Sequence, residues 1–172
     1  MKLTSVAQKF VLHWGEMGTR WGVNRTVAQL HAMLYLTDRP VHAEEIAETL
    51  GVARSNVSTS LRELQNWGLI KVVHVFGDRR DHYQALQDIW GIFRAIVEER
   101  KKRELDPTLT VLRECVLELQ GSEQAQANEG IKIRTALEFV EMIAGWLEQM
   151  KDVPPQTAAK LIRLGAKIQK LV

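Results

Sequence analysis

The chain has 172 residues, of which 45% are hydrophobic and 26% are charged, a composition typical of one globular unit. Its formal net charge is only +2, so bulk charge neither indicates nor excludes a nucleic-acid partner, and local charge matters more. No run of about 18 apolar residues predicts a membrane span, and the N-terminus lacks the apolar core of a signal peptide. The single cysteine, Cys115, excludes an internal disulfide and favours a reducing, cytoplasmic location.

Apolar residues that recur at steps of three and four predict helices along most of the chain. The first helix is predicted over residues 2–20 and the second over residues 26–36. A third, short helix is predicted in 41–51, with His42 as its N-cap and Gly51 as its end. These three helices precede the most informative part of the sequence.

A fourth helix follows at once in VARSNVSTSLRELQNWGLI, and its buried stripe is predicted to be Val57, Leu61 and Leu64. Gly68 suits the left-handed position that follows a helix. Two short helices that meet at a glycine are typical of a helix-turn-helix. The chain then predicts a hairpin, in which strand IKVVHVF leads through a longer loop, GDRRD, into HYQAL.

The remaining chain is predicted to be helical. A helix over 88–105 ends at Asp106-Pro107, and helices follow over 107–120 and 131–150, separated by the polar segment 121–130. The apolar repeat of the helix over 131–150 is a heptad pattern. A last helix starts after two prolines and carries the apolar residues Leu161, Leu164, Ile168 and Leu171.

The face of the fourth helix opposite its buried stripe predicts a DNA-reading surface. Short hydrogen-bonding side chains near a helix N-terminus let the helix approach base edges in a major groove. We predict that Arg54 contacts the DNA backbone at the start of the helix. Base contacts are predicted for Ser55, Asn56, Ser58, Thr59 and Arg62.

A hairpin directly after such a helix is predicted to be a wing. Arg79 and Arg80 at its tip would lie along the phosphate backbone or enter the adjacent minor groove, where a shared anion relieves their repulsion. Asp78 and Asp81 are expected to fix the tip by turn hydrogen bonds or by orienting an arginine. The alternative is a solvated turn with incidental charge.

At this point the stretch from Trp14 to Pro107 resembles the GbsR/MarR group of winged-helix transcription regulators. The resemblance lies in RWGVNRT, AEEIAETLGVARSNVSTSLRELQNWGLI, FGDRRDHY and EERKKRELDP. It implies a cytoplasmic homodimer whose terminal helices dimerise and whose winged domains bind an inverted repeat in double-stranded DNA. It also implies transcriptional control, usually repression, which a small-molecule effector relieves in some members.

We therefore predict a mainly α protein, a winged helix-turn-helix with a β-hairpin wing and long N- and C-terminal dimerisation helices. The predicted domains are an N-terminal dimerisation helix (1–22), the winged helix-turn-helix (23–87) and a helical dimerisation region (88–172). Apolar stripes on the first and last helices support a dimer independently, because a small winged domain cannot cover them all. The alternative is that these helices pack within one chain.

An effector pocket is a weaker expectation. Trp90 and Phe93 lie at the start of the helix that leaves the wing, where the two lobes should meet, and Trp14 is a further candidate. The resemblance implies that some members sense quaternary ammonium ions, which aromatic cages hold well. The alternative is that these aromatic residues belong to the core. Two interpretations of Cys115 also remain open: a buried structural residue or a redox sensor.

Other functions find little support in the sequence. The histidines His42, His74 and His82 lack metal-ligand spacing, so neither a metal nor a cofactor is predicted. No phosphate-binding glycine loop or nucleophile–base motif indicates an enzyme. The basic run at 100–103 is expected to be a solvated helix face rather than a DNA contact. The stronger alternative to a DNA-binding regulator is a winged-helix protein-interaction module, which would lack the steep salt dependence of phosphate binding.

Overall fold

A computed structural model describes residues 1–120 and 127–165, in two compact units, Met1–Ile96 and Val97–Val172. The fifth helix starts in the first unit and continues into the second. The predicted mainly α chain with a helix-turn-helix and a β-hairpin is confirmed. The helices of the first unit are α1 (Ser5–Arg20), α2 (Arg25–Tyr35), α3 (Ala43–Leu50), α4 (Arg54–Asn66) and the start of α5 (Ile89–Arg100).

The predicted boundaries of the helix-turn-helix are confirmed in detail. Nδ1 of His42 accepts a hydrogen bond from the backbone N–H of Glu45 at 3.3 Å, so His42 caps α3. Gly51 has a φ of 65°, the left-handed conformation that ends α3 and allows the sharp turn into α4. Gly68 has a φ of 69° after α4. The backbone N–H of the next residue, Leu69, donates a hydrogen bond to the backbone oxygen of Leu64 in α4.

The first unit also contains a three-stranded antiparallel sheet in the order β1-β3-β2. Its strands are β1 (Val41–His42), β2 (Ile70–Val75) and β3 (Asp78–Ala85). The sequence analysis did not predict β1, because it placed these two residues at the start of the third helix. β1 pairs with β3 through His42 opposite His82, which fixes the start of α3 to the wing.

The predicted five-residue loop GDRRD is wrong. Val75 pairs with Asp78, so the turn consists of Phe76 and Gly77 alone, and Arg79 and Arg80 are strand residues. Gly77 has a φ of 83°, the left-handed conformation that some two-residue turns need at their second position and that glycine adopts without strain. The polar run looked like a loop because this end of the hairpin is exposed, so it needs no apolar residue on either face.

α1 packs closely on α2 through small residues. Gly15 and Gly18 are buried at this contact, and a Cβ atom added at Gly18 would lie 2.6 Å from the Cβ of Ala28. Val11 is the third buried residue of α1, whereas the large apolar residue Val6 is exposed. The buried face of α1 is therefore set by glycines, which a pattern of large apolar residues cannot reveal.

The core of the first unit contains the predicted stripe of α4. It joins side chains from α2, α3, α4, the sheet and α5 around fully buried residues, among them Leu30, Met33, Leu34, Val41, Ile46, Val57, Leu61, Leu64 and Leu69. This core leaves the opposite face of α4 in solvent.

The second unit contains the end of α5, then α6 (Asp106–Glu118), α7 (Asn128–Lys151) and α8 (Pro155–Leu164). The predicted helix break at Asp106-Pro107 is wrong, because a π-helical turn, Lys101–Leu105, joins α5 to α6 without an interruption. A proline ring at position 107 would collide with the carbonyl four residues earlier in an α-helix, and the wider turn relieves this conflict.

α6 and α7 pack together, and the heptad positions of α7 are its less exposed apolar residues. Arg113 of α6 donates to Glu141 of α7 at 2.8 Å. The expected apolar residues Ile168 and Leu171, and most of the polar segment 121–130, lie outside the described residues. Within residues 1–120 and 127–165, no helix combines the length and the apolarity that a membrane span needs.

Candidate nucleic-acid interface

The exposed face of α4 is polar. Its buried side is formed by Val57, Ser60, Leu61 and Leu64, which hold the helix against the core. Because the buried and exposed residues alternate with the helical period, the remaining side chains share one solvent-facing surface. The structure exposes every predicted DNA contact of this helix: Arg54, Ser55, Asn56, Ser58, Thr59 and Arg62.

The N-terminus of α4 carries no side-chain cap. Ala53 occupies the cap position and makes no side-chain hydrogen bond to the first turn. The backbone N–H groups of that turn point out of the helix and carry the positive end of its dipole. Such a terminus suits an anion such as a phosphate. The first residue of the helix, Arg54, pairs instead with Glu44 of α3, with Nη2 and Oε1 separated by 2.5 Å.

The two arginines of the wing have different partners. Asp78 accepts hydrogen bonds from Nε of Arg80 at 2.9 Å and from the backbone N–H of Arg80 at 3.0 Å. These bonds hold the pKa of the Asp78 carboxyl well below its usual range. The expectation that an aspartate orients an arginine is thus confirmed for Asp78. Arg79 is exposed and has no ion pair with any described residue.

Glu44 carries a negative charge that acts both on Arg54 at the start of α4 and on Arg80 in the wing. Its pKa is lowered, first by a backbone hydrogen bond within Glu44 itself, and also by His42 and by the charge of Arg54. The pKa of Arg80 is raised mainly by its hydrogen bonds to Asp78, with a further contribution from the negative charge of Glu44. Two of the three arginines expected to contact phosphate, Arg54 and Arg80, therefore lie in the field of one acidic residue.

His42 and His82 form a contact that the sequence did not predict. Their rings meet edge to face with centroids 5.5 Å apart, across the β1–β3 pairing. Nδ1 of His82 lies 3.0 Å from the backbone oxygen of Arg80, and its Nε2 lies 3.5 Å from Asp78. The pair fixes the base of the wing to the start of α3. Within the described ranges, no three His, Cys, Asp or Glu side chains are grouped to hold a metal ion.

Of the three aromatic residues expected to form an effector pocket, Trp14 alone lines the cavity between α1, α2 and α5. Trp14 stacks on Phe10 with centroids 5.3 Å apart and lines a cavity of about 10 Å³ between α1, α2 and α5. Trp90 and Phe93 contact each other edge to face at 6.4 Å, but neither lines that cavity. This volume holds about one water molecule.

The cavity is also lined by His31, which the sequence did not single out. His31 is 4% exposed, and its Nε2 atom has no hydrogen-bond partner among the described residues. Burial lowers the pKa of His31 from 6.5 to about 4, so the ring is neutral at physiological pH. Its position within the apolar stripe of α2 is the signal that could have identified it.

The basic run at 100–103 is engaged with acidic residues of the same unit. Arg100 lies 2.6 Å from Glu104, Lys101 lies 3.1 Å from Asp106, and Lys102 lies 3.5 Å from Glu98. These pairs are the local compensation expected of a solvated helix face. Cys115 is half-buried, beside the apolar stripe of α6.

The element order and the contacts of the first unit, a helix-turn-helix followed by a short-turned wing, agree with comparison to known proteins. Residues 21–81, from the end of α1 into β3, match the family model described as MarR family. This part of the chain is therefore similar to the MarR family. The matched residues include the whole of α3 and α4, the wing turn and both wing arginines.

Two similar proteins extend the comparison beyond residues 21–81. The HTH-type transcriptional repressor GbsR of Bacillus subtilis (strain 168) is 22% identical over 138 residues, which are 77% of this chain and 76% of GbsR. A crystal structure described as a transcriptional regulator is 20% identical, with a TM-score of 0.65, over 85% of this chain and 95% of that chain. The structural similarity confirms the winged fold. Both names describe regulators rather than enzymes, in agreement with the expectation from the sequence.

Proposed function

We propose that this protein is a transcriptional regulator that binds double-stranded DNA in a sequence-specific manner. The observation that carries the proposal is the exposed polar face of α4, held by a buried stripe beside a wing with two arginines. In this arrangement α4 enters the major groove, and the wing contacts the backbone or the adjacent minor groove. The similarity to GbsR, which is named as a repressor, supports repression as the outcome.

Base reading is assigned to the short side chains of α4. Ser55, Asn56, Ser58 and Thr59 offer donors and acceptors without long side chains that would hold the helix away from the bases. Arg62, one turn further along, suits a bidentate contact to guanine. Arg54 and the first turn of α4 contact phosphate, because a helix N-terminus favours an anion.

Phosphate binding by two of the arginines is an exchange of anions. Arg54 leaves Glu44, and Arg80 leaves or shares Asp78, when each approaches a phosphate. Loss of the ion pairs with Glu44 and Asp78 lowers the binding free energy gained from these two phosphate contacts. Arg62 and Arg79 have no described ion pair to break when they contact a base or a phosphate. Sequence-independent affinity is therefore weaker than the number of arginines suggests.

We further propose that the protein acts as a homodimer on an inverted repeat. The second unit exposes large apolar side chains on three helices, among them Val111, Leu117, Phe139, Met142, Trp146 and Ile162. Apolar surface of this extent is typical of an interface between copies of a chain. A two-fold dimer requires two half-sites related by the same symmetry, with centres about one helical turn apart.

An effector site near Trp14, Trp90 and Phe93 stays a prediction. The cavity beside Trp14 admits about one water molecule, so an effector there would have to separate α1 or α5 from α2. Binding of a small molecule would then be linked to a movement within the winged unit.

The experiment that tests the proposed function is enrichment of genomic fragments. The purified protein is mixed with sheared genomic DNA at near-physiological salt, and the bound fragments are recovered and sequenced. An enriched inverted repeat supports base reading and a two-fold dimer together. Absence of both enrichment and salt-sensitive retention would favour the protein-interaction module instead.

A Thr59→Ala variant tests the assignment of base reading to α4. Thr59 is exposed and faces the proposed groove, so we expect weaker binding to the enriched site by about 1 kcal/mol and little change on random duplex. Fluorescence anisotropy on the two duplexes measures both affinities. Equal losses on the enriched and the random duplex would contradict a base-reading role for Thr59.

A further inference from the structure

The tip of the wing presents an aromatic ring to solvent. Phe76 is the first residue of the turn and is fully exposed, and Val75 before it is exposed in part. Single exposed apolar side chains are common on protein surfaces, so exposure alone does not indicate a partner. Phe76 lies at the tip of the hairpin that is proposed to bind DNA, so its side chain is placed to contact the duplex.

The wing ends in a narrow tip. Val75 pairs with Asp78, so only Phe76 and Gly77 lie beyond the last strand pair. A two-residue turn is the shortest common connection between paired strands. The hairpin therefore ends in two residues, and its leading side chain, rather than its backbone, would enter a minor groove that is about 6 Å wide.

Cationic side chains follow the aromatic ring directly. Arg79 is exposed without an ion pair to any described residue, and Arg80 is held by Asp78. Arginines at this distance from the tip suit the phosphates that border a groove. Phe76 gains nothing from a phosphate, because an apolar ring cannot replace the water around it. The chemical partner that an aromatic wedge fits is the edge of a base stack.

We propose that Phe76 is an apolar wedge that enters the minor groove of the bound duplex and partly unstacks a flexible pyrimidine–purine step. Such a step costs least to open, so the wedge favours sites with TA or CA at that position and bends the DNA. The inference rests on the proposed function, since the wing reaches the minor groove only when α4 occupies the neighbouring major groove. It assigns the turn a specificity role distinct from the charge of the arginines.

The test compares Phe76→Ala and Phe76→Leu with the wild type on a duplex enriched from genomic DNA. Energy transfer between dyes at the two ends of the duplex reports bending, and a fluorescent purine analogue at the step reports unstacking. We expect Phe76→Ala to bind roughly tenfold more weakly and to lose the bend, while its salt dependence stays that of the wild type. Phe76→Leu should retain most of the bend, because leucine also serves as a wedge.

The control variant is Arg79→Ala, which should flatten the salt dependence and leave the unstacking signal in place. Because Phe76 contacts little of the protein, Phe76→Ala should keep the melting temperature of the wild type, so a loss of bending cannot be attributed to unfolding. If the wild type shows no salt-sensitive binding to DNA, the proposed function fails and the wedge fails with it. If the wild type binds but Phe76→Ala bends the duplex equally, only the wedge is refuted. A change in self-association instead of bending would also refute it.

Discussion

Arg80 can contact a phosphate only by leaving or sharing the Asp78 carboxylate that it already binds. Its guanidinium already donates to Asp78, and Glu44 adds a further negative charge nearby. Arg79, on the neighbouring position of β3, has no such partner among the described residues. Two adjacent arginines of the same wing are therefore expected to contribute differently to DNA binding.

The difference can be measured as a salt dependence. Arg79→Ala removes an uncompensated cation, so we expect the slope of log affinity against log salt to fall by about 0.9. Arg80→Ala removes a cation but leaves Asp78 unpaired beside the duplex, so it should weaken binding at every salt concentration. Asp78→Asn should instead strengthen binding to random duplex. Anisotropy titrations over a range of salt concentrations test all three variants, and an increase in affinity for Arg80→Ala would contradict the exchange.

His31 makes a separate prediction about stability. The folded protein holds His31 neutral, with a pKa of about 4, whereas an unfolded histidine titrates near 6.5. The unfolded chain therefore binds more protons between these values, so stability is complete above about pH 6.5 and falls as the pH approaches 4. We expect His31 to cost about 2 kcal/mol of unfolding free energy at pH 5 relative to pH 7.5.

A His31→Leu variant isolates this contribution. Leucine fills a similar volume and removes the buried ring nitrogen that lacks a hydrogen-bond partner, so folding should tolerate it. Urea unfolding at both pH values should show a smaller acid-induced loss for the variant than for the wild type. An equal loss in both proteins would show that other groups cause the acid sensitivity.

The residue scale also shows what the sequence could predict. The polar face of α4 and the cap at His42 follow from helical spacing, and both were predicted correctly. The sequence does not predict the ion pair between Arg54 and Glu44, because this pair depends on how α3 approaches α4. It leaves the partner of Asp78 open, because that partner depends on the register of the hairpin. His31 was overlooked because a polar residue inside an apolar stripe has no partner that the sequence identifies.

At the scale of elements, one side of α4 is buried in the core, whereas the N-terminus of the helix has no side-chain cap. Ala53 provides no side-chain acceptor for the first-turn N–H groups. Ala53→Ser should add such an acceptor and stabilise the protein by about 1 kcal/mol. Thermal unfolding followed by circular dichroism measures this effect, and an unchanged melting temperature would contradict the assigned cap position.

Ala53→Asp is the matched variant. Aspartate caps a helix as well as serine and also interacts with the dipole, so its stability should equal or exceed that of Ala53→Ser. Its charge would repel the phosphate proposed to lie at this terminus, so its affinity for DNA should fall. Both stability and affinity rising together in Ala53→Asp would argue against a phosphate at the start of α4.

Three elements differ from their predictions for identifiable reasons. The wing turn is shorter because paired strand residues can be polar when both faces are exposed. β1 was not predicted, because a strand of two residues is too short to show the alternation of apolar and polar residues. The π-helical turn at Lys101–Leu105 replaced a predicted break, because Pro107 can be accommodated by widening a helix as well as by ending it.

At the scale of the whole molecule, the second unit leaves one row of α7 in solvent while its heptad positions are less exposed. Phe139, Met142 and Trp146 form this exposed row, and each is more than half exposed. Their spacing of three and four residues places them on one side of the helix. We proposed above that apolar surface of this kind belongs between two copies of the chain.

Phe139→Glu tests that assignment. A charge placed in an apolar interface would be desolvated without a partner, so we expect the mass measured by light scattering to fall from dimer to monomer. Binding to the inverted repeat should fall with it, because one winged domain reads only one half-site. Phe139→Leu is the control, since it keeps an apolar side chain at the same position of α7 and should remain a dimer. A monomeric wild type, or a dimeric Phe139→Glu, would contradict the proposed interface.

The internal pairing of Arg54 and Arg80 has a consequence for the time that the protein spends on the wrong DNA. A regulator must leave random sequence quickly in order to sample many sites, and its residence there is set by phosphate contacts that every site offers. In the proposed mode of binding, Glu44 and Asp78 compete for those contacts on every site, and only a matching site adds the base contacts that outweigh them. We therefore expect the two carboxylates to shorten each stop on random DNA and to speed the search for a matching site.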